Sequence, residues 1–151
     1  MGFKFVSDQI EHVFFYGSLK QGQPLYFLEG IKDLRIEVLP ARMQGGLLYN
    51  LGLFPGMILQ SNGGVVMGEV QRFRQIETVL GILDEMEEYY GEGDPNNLYR
   101  RVEHEAELLN GEGFITCWVY EYVGPLEGAS LIKSGVWEQE MSRQTIFGTG
   151  S

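Results

Sequence analysis

Apolar residues recur along this chain with two different periods, and each period marks its own kind of element. Ile76, Val79, Leu80, Leu83, Met86 and Tyr90 fall on one stripe at about 100° per residue. Glu77, Gly81, Glu85 and Glu88 occupy the opposite side, so the spacing predicts one long amphipathic helix over 76–90. Elsewhere the runs are short. Val13, Phe14 and Phe15 stand between His12 and Gly17, which predicts a buried strand over 12–16. Further strand-like runs cover 35–39, 46–49, 57–59 and 65–70, punctuated by Pro40, Gly45, Pro55-Gly56 and Asn62-Gly63-Gly64. Over 99–108, Arg101, Glu103, Glu105 and Glu107 alternate with Val102, His104, Ala106 and Leu108, as in a strand with one wet face. The stretch 114–123 is apolar on both faces and predicts a central strand. Pro24 and Gly30 bracket a predicted short helix over 24–30. The tail from Gly124 is ambiguous, with a short strand over 129–132 and a loose helix near Trp137. About six or seven short strands and one principal helix predict an α+β fold, with a mixed sheet curled up or closed into a small barrel.

Composition narrows the class. A length of 151 residues suits one domain, expected to cover 1–151. The chain is 44% hydrophobic but has no unbroken apolar run of membrane-spanning length. Its start, Met1-Gly2-Phe3-Lys4-Phe5-Val6, lacks the long apolar segment of a signal peptide, so a cytoplasmic location is expected. A single cysteine, Cys117, rules out an internal disulfide and fits a reducing compartment. The net charge of -10 opposes nonspecific attraction to nucleic acid and to anionic membranes, and neither is an expected partner. Glycine is abundant, at 21 residues, which suits many tight turns between short strands.

Two features carry candidate chemistry. Glu87 projects about 20° from Ile76, between it and Leu80, on the apolar stripe of its helix, and Asp84 sits at the edge of that stripe. A carboxylate there is paired, neutral or facing a cavity, because uncompensated burial of its charge is costly. Periodicity leaves two readings open: a fraying helix end with an arginine partner, or a general acid/base with a raised pKa. The second feature is Tyr16-Gly17-Ser18-Leu19-Lys20, a strand breaking into a glycine turn. Successive backbone N–H groups in such a turn can converge on an anion, although Gly-Ser is also an ordinary turn. The Gly-x-x-x-x-Gly-Lys phosphate loop is absent. A Ser18 nucleophile lacks the Gly-x-Ser-x-Gly elbow, and only His12 and His104 could supply an imidazole base. One Cys and two His without ligand spacing predict no metal site, and Cys117 reads as a buried, inert thiol.

Taken together, these segments resemble the γ-glutamylcyclotransferase-like family. Tyr16-Gly17-Ser18-Leu19-Lys20 matches its first-strand signature, and Leu83-Asp84-Glu85-Met86-Glu87 matches its Leu-Asp-x-x-Glu helix. The run from Gly46 to Gly56 is similar to the family's glycine-rich hairpin, and Val66-Met67-Gly68-Glu69-Val70 to the strand before the helix. Tyr99-Arg100-Arg101, Val119-Tyr120 and Lys133-Ser134-Gly135-Val136-Trp137 resemble its later segments, so the similarity spans about 12–138. There are two departures: Glu88 stands where a glycine often follows the acidic residue, and Val136 where an acidic residue commonly precedes the Trp.

The resemblance implies a small mixed-sheet β-barrel flanked by helices. It also implies an enzyme that releases an amine or amino acid from a γ-glutamyl compound, closing the glutamyl part to 5-oxoproline without metal or cofactor. On that basis Glu87 is the expected general acid/base, and Gly17, Ser18 and Leu19 anchor the substrate's carboxylate. Tyr16 shapes the pocket, and the Tyr99 hydroxyl lies near the reacting groups or is simply a strand aromatic. Arg101 is expected to pair with an acidic residue. A γ-glutamylamine or similar small amide is the expected substrate, while the leaving group and the oligomeric state are not legible. The alternatives are a noncatalytic domain that binds a small carboxylate in the same cavity, or an acidic interaction module. The closing Gly148-Thr149-Gly150-Ser151 is expected to be disordered.

Overall fold

The computed structural model describes residues 9–138. The starting residues 1–6 and the closing residues 148–151, on which the sequence raised expectations, lie outside that range. The elements in chain order are β1 (His12–Phe15), β2 (Arg35–Asn50), β3 (Pro55–Leu59), β4 (Gly64–Phe73), α1 (Ile76–Met86), β5 (Tyr99–Leu108), β6 (Phe114–Tyr122) and β7 (Ser130–Leu131). A single 3-10 turn, Lys32–Leu34, precedes β2.

Five strands close into a barrel in the order β2, β4, β1, β6, β5, and β5 returns to β2 through Ala41↔Leu108 and Arg42↔Glu107. The pairings are antiparallel except for β1 with β6, which run parallel at Val13↔Trp118. Strands β3 and β7 lie outside this ring and pair with the far end of β2. The expected mixed-sheet α+β barrel is therefore present.

Every barrel strand contributes to one buried cluster: Phe14, Met43, Val66, Val70, Ala106, Leu108, Cys117 and Val119 among others, with Trp137 closing it. A second cluster lies on the outer surface, where Ile76, Val79, Leu80 and Leu83 of α1 cover Val13, Phe15, Phe73 and Tyr120. Strand β1 thus sends Phe14 inward and its neighbours outward, which explains its unbroken apolar run. Burying the four α1 side chains contributes about 1.5–3 kcal/mol each.

Several expected boundaries differ. No α-helix forms over 24–30. The chain there makes successive four-residue turns, with Tyr26 N–H to Gln23 O, Leu28 N–H to Leu25 O and Ile31 N–H to Leu28 O. The expected runs 35–39 and 46–49 belong to one 16-residue strand. Pro40 does not break it, because its carbonyl accepts Leu109 N–H on the side where pairing with β5 ends. Its missing donor faces that same side, so the ladder to β4 is intact. Gly45, at φ 75, forms a bulge between Gln44 and Gly46 instead of a turn. The helix ends at Met86, not at residue 90, leaving Met86 and Tyr90 at 37% and 58% exposed. The region around Trp137 holds no helix within the described residues, and the strand expected over 129–132 shortens to Ser130–Leu131. Among the described residues the barrel is flanked by one α-helix and the 3-10 turn Lys32–Leu34.

Candidate active site

The end of α1 has the geometry of a Schellman stop. Glu87 N–H still bonds Leu83 O at 2.8 Å, so Glu87 completes the last turn as its cap. Glu88 then takes a left-handed conformation at φ 55, with Glu88 N–H to Glu85 O at 3.2 Å and Tyr89 N–H to Asp84 O at 2.9 Å. Glycine normally fills that position because a Cβ costs energy there. Glu88→Gly is therefore expected to raise stability by about 1 kcal/mol, read as a higher urea midpoint with an unchanged slope.

Asp84 fixes this helix end against the barrel. It accepts two hydrogen bonds from the Arg101 guanidinium, at 2.9 and 3.2 Å, and one from the Tyr120 hydroxyl at 2.6 Å. Arg101 thus has an acidic partner. Its guanidinium also lies 4.5 Å from the Trp118 ring centroid, which further limits its motion. One turn later, Glu87 is turned toward Tyr16, Tyr99 and Tyr120, each of whose phenols feels its charge. Burial pushes the Glu87 carboxyl up to about 7. The negative end of the α1 dipole acts in the same direction.

The first strand delivers the other half of the site. Gly17, Ser18 and Leu19 follow β1 directly, and no acceptor among the described residues takes their backbone N–H groups. The loop is held through its other atoms. Gln71, fully buried, donates to Leu19 O at 3.0 Å and to Glu69 at 2.6 Å, while Glu69 accepts Gln21 N–H at 2.7 Å. Arg35 completes the set by donating to Gln71 Oε1 at 2.7 Å. Sequence reasoning missed Glu69 and Gln71. The available signal was two polar residues two apart in a strand, which places both on one face.

These parts meet in one cavity of ≈ 310 Å³. Tyr16, Gly17, Ser18, Leu19, Glu87 and Tyr99, all six candidate residues, line it. Leu25, Leu53, Phe54, Pro55, Met86 and Leu98 supply much of the remaining wall. Its size suits a small ligand. Gly17 is packed so closely that an added Cβ would stand 2.8 Å from Pro55 Cγ.

The phenols are largely committed. Tyr16 donates to Tyr120 O at 2.7 Å and accepts Met57 N–H at 3.1 Å, tying β6 to β3. Tyr99 donates to Pro55 O at 2.7 Å and retains only acceptor capacity toward the cavity. Burial first of all raises the pKa of Tyr16, Tyr99 and Tyr120, so all three stay protonated at neutral pH. Glu87 is the cavity group poised to exchange a proton near pH 7. Cys117 lies apart, inside the barrel, its thiol pushed up to about 12 by burial. Among the described residues, no group of His, Cys, Asp and Glu could hold a metal ion, and no helix is long and apolar enough to cross a membrane.

Comparison with known proteins gives a consistent result. The family described as Gamma-glutamyl cyclotransferase, AIG2-like matches residues 13–139. A γ-L-glutamyl-butirosin B γ-glutamyl cyclotransferase from Niallia circulans is 30% identical over 111 residues, 74% of this chain and 66% of that protein. The match thus spans just under two thirds of that relative's length. An AIG2-like protein from Mus musculus shares the fold, with a TM-score of 0.63 at 20% identity over 86% of this chain and 89% of that one. The ytfP protein from Escherichia coli is similar at a TM-score of 0.53 and 28% identity, over 85% of this chain and 97% of that one.

Proposed function

We propose that this chain, which belongs to the γ-glutamyl cyclotransferase, AIG2-like family, converts a γ-glutamyl amide into 5-oxoproline and a free amine or amino acid. The observation that carries the reading is a carboxyl poised near neutrality, Glu87, in the same cavity as three open backbone N–H groups. In this reaction the substrate's own α-amine attacks its γ-carbonyl. A C–N bond closes the five-membered ring, the original amide C–N bond breaks, and no oxidant or water is consumed.

The chain's residues have three tasks. The N–H groups of Gly17, Ser18 and Leu19 hold the α-carboxylate, and the Ser18 hydroxyl adds a further donor. That anchor keeps the glutamyl chain folded, so amine and carbonyl meet without a bimolecular encounter. Glu87 takes the proton that the α-amine must lose and returns it to the departing nitrogen. A proton affinity near pH 7 suits both steps, since the group is neither too weak a base nor too weak an acid. The acceptor face of Tyr99 orients the α-amine.

A noncatalytic carboxylate binder fits less well. A second carboxylate in the pocket repels the ligand such a domain would hold, and burying it carries a cost with no return in affinity. The test is an assay for 5-oxoproline after incubation with a panel of γ-glutamyl amines and γ-glutamyl amino acids. Formation of 5-oxoproline in equal amount to released amine is expected. Stoichiometric ligand binding without turnover would favour the binder instead.

A further inference from the structure

The turn that follows β1 is polarised. Its three carbonyls are all engaged: Gly17 O accepts Lys20 N–H at 3.1 Å, Ser18 O accepts Leu25 N–H at 2.9 Å and Leu19 O accepts Gln71 Nε2 at 3.0 Å. The N–H groups of the same three residues have no acceptor among the described residues. In a trans peptide a carbonyl and the next residue's N–H point in opposite directions. Holding Gly17 O inside the turn therefore directs Ser18 N–H outward, and holding Ser18 O does the same for Leu19 N–H. The Leu19–Lys20 peptide is gripped at both ends, by Gln71 at its carbonyl and by Gly17 O at its N–H.

Two of the three carbonyls find backbone donors within residues 17–25, whereas the third depends on a fully buried side chain from β4. The surroundings of Gln71 fix which way its amide faces. Arg35, which can only donate, lies 2.7 Å from Oε1, and Glu69 accepts from Nε2 at 2.6 Å. Arg35 is itself held, donating to Tyr26 O at 2.8 Å and lying 3.9 Å from the Tyr26 ring centroid. Both Nε2 hydrogens are thus in use, one on Glu69 and the other on Leu19 O.

Resting on the cyclotransferase reading, we propose that Gln71 is a positioning residue for the carboxylate anchor. It does not line the cavity, so it acts through the loop. By holding Leu19 O it keeps the turn closed and the Gly17, Ser18 and Leu19 N–H groups aimed at the ligand, while Arg35 and Glu69 set its amide. Without that donor the buried Leu19 O is left unpaired, a state that a rotation of the Leu19–Lys20 peptide relieves. The rotation takes Lys20 N–H off Gly17 O, and Ser18 N–H then loses its direction.

The test separates anchoring from folding. Gln71→Met keeps the length of the side chain and removes its donor. Gln71→Glu also removes the donor but keeps an acceptor for Arg35, and it serves if the first variant does not fold. Each is compared with wild type on two substrates: the γ-glutamyl amide of the panel that wild type turns over fastest, and its α-carboxamide analogue. Wild-type kcat/KM for amine release is expected to favour the carboxylate by roughly 100-fold, and each folded variant to shrink that ratio by roughly tenfold. A role in folding alone lowers both substrates alike, so an unchanged ratio overturns the inference and leaves the cyclotransferase reading standing. A second measurement needs neither turnover nor a variant: titration of wild type with 5-oxoproline, followed by ¹H–¹⁵N NMR. The Gly17, Ser18 and Leu19 amide protons are expected to move downfield and Lys20 N–H to stay in place, with the Gln71 side-chain amide exchanging slowly with solvent throughout. Turnover without those shifts, or rapid exchange at Gln71, overturns the inference alone. Those shifts without turnover of any panel member remove the cyclotransferase reading alone, and neither turnover nor binding removes both.

Discussion

Replacing Glu87 with Gln is expected to lower kcat for 5-oxoproline formation by about 10³-fold while making the folded protein more stable above pH 7. The two effects have one cause. Gln keeps the shape of the side chain but can neither accept the α-amine's proton nor return one to the leaving group. In the unfolded chain a Glu carboxyl ionises near pH 4.3, whereas in the fold burial pushes Glu87 up to about 7. Below the unfolded value both states are protonated and Glu87 carries no penalty. Between the unfolded and folded values the unfolded chain ionises while the fold keeps Glu87 protonated, and above the folded value the fold must hold a charge that water would hold more favourably. Stability is lost over that window, by about 4 kcal/mol. Wild type and variant should therefore have similar urea midpoints near pH 4, with the variant clearly higher at pH 8. The same titration sets activity: kcat/KM should climb with pH as free Glu87 loses its proton and level off above about 7. Equal turnover by the two proteins would remove Glu87 from the chemistry.

Gly68→Ala is expected to destabilise the protein by about 3 kcal/mol and to weaken turnover in the fraction that remains folded. A Cβ on Gly68 would collide with the Phe15 carbonyl oxygen and stand 2.8 Å from Phe14 Cζ. The first neighbour is backbone, so no rotamer change relieves it. β1 must move away from β4 across the pairs Phe14↔Val70 and Phe15↔Glu69. The Tyr16-Gly17-Ser18-Leu19 loop leaves β1 at this point, so the displacement reaches the N–H groups that anchor the substrate. A shift of about 1 Å there is enough for roughly 10²-fold in rate. Gly81 is the control. It lies within α1 with open space around it, and Gly81→Ala should raise stability by about 0.8–1 kcal/mol without touching activity. Thermal melts of the three proteins, with kcat at one pH, test the pair. A Gly68→Ala variant as stable as wild type would mean that β1 and β4 can part at no cost.

The sequence made much of the site legible because its signals are local. Helical spacing placed Glu87 beside Ile76 and Leu80. The placement holds although the helix stops at Met86, because Glu87 N–H still closes the last turn on Leu83. The stop itself was hidden, since the left-handed residue is Glu88 and not the glycine that usually marks such a position. Pro40 and Gly45 misled for a related reason. Each is a breaker in isolation, yet the partners of β2, far away in the chain, decide whether a missing donor or a bulge is tolerated. The arrangement of Arg35 with the buried Gln71 and Glu69 behind the loop was only partly legible. Their polar identity suggests a wet face, and only the fold shows that residues 19–21 cover it. Tyr16 was legible as the end of a buried strand and Tyr99 as a half-buried strand aromatic. That their hydroxyls are already taken by Tyr120 O and Pro55 O depends on tertiary contacts that no local pattern reports.

The most direct measurement is turnover of a γ-glutamylalkylamine in ¹⁸O-labelled water, with the products resolved by mass spectrometry. Intramolecular attack by the α-amine uses no water, so unlabelled 5-oxoproline and free amine in equal amounts are expected from wild type, and neither from Glu87→Gln above background. Glutamate carrying ¹⁸O in place of 5-oxoproline would contradict that mechanism, showing that water, and not the substrate's own amine, attacks the γ-carbonyl.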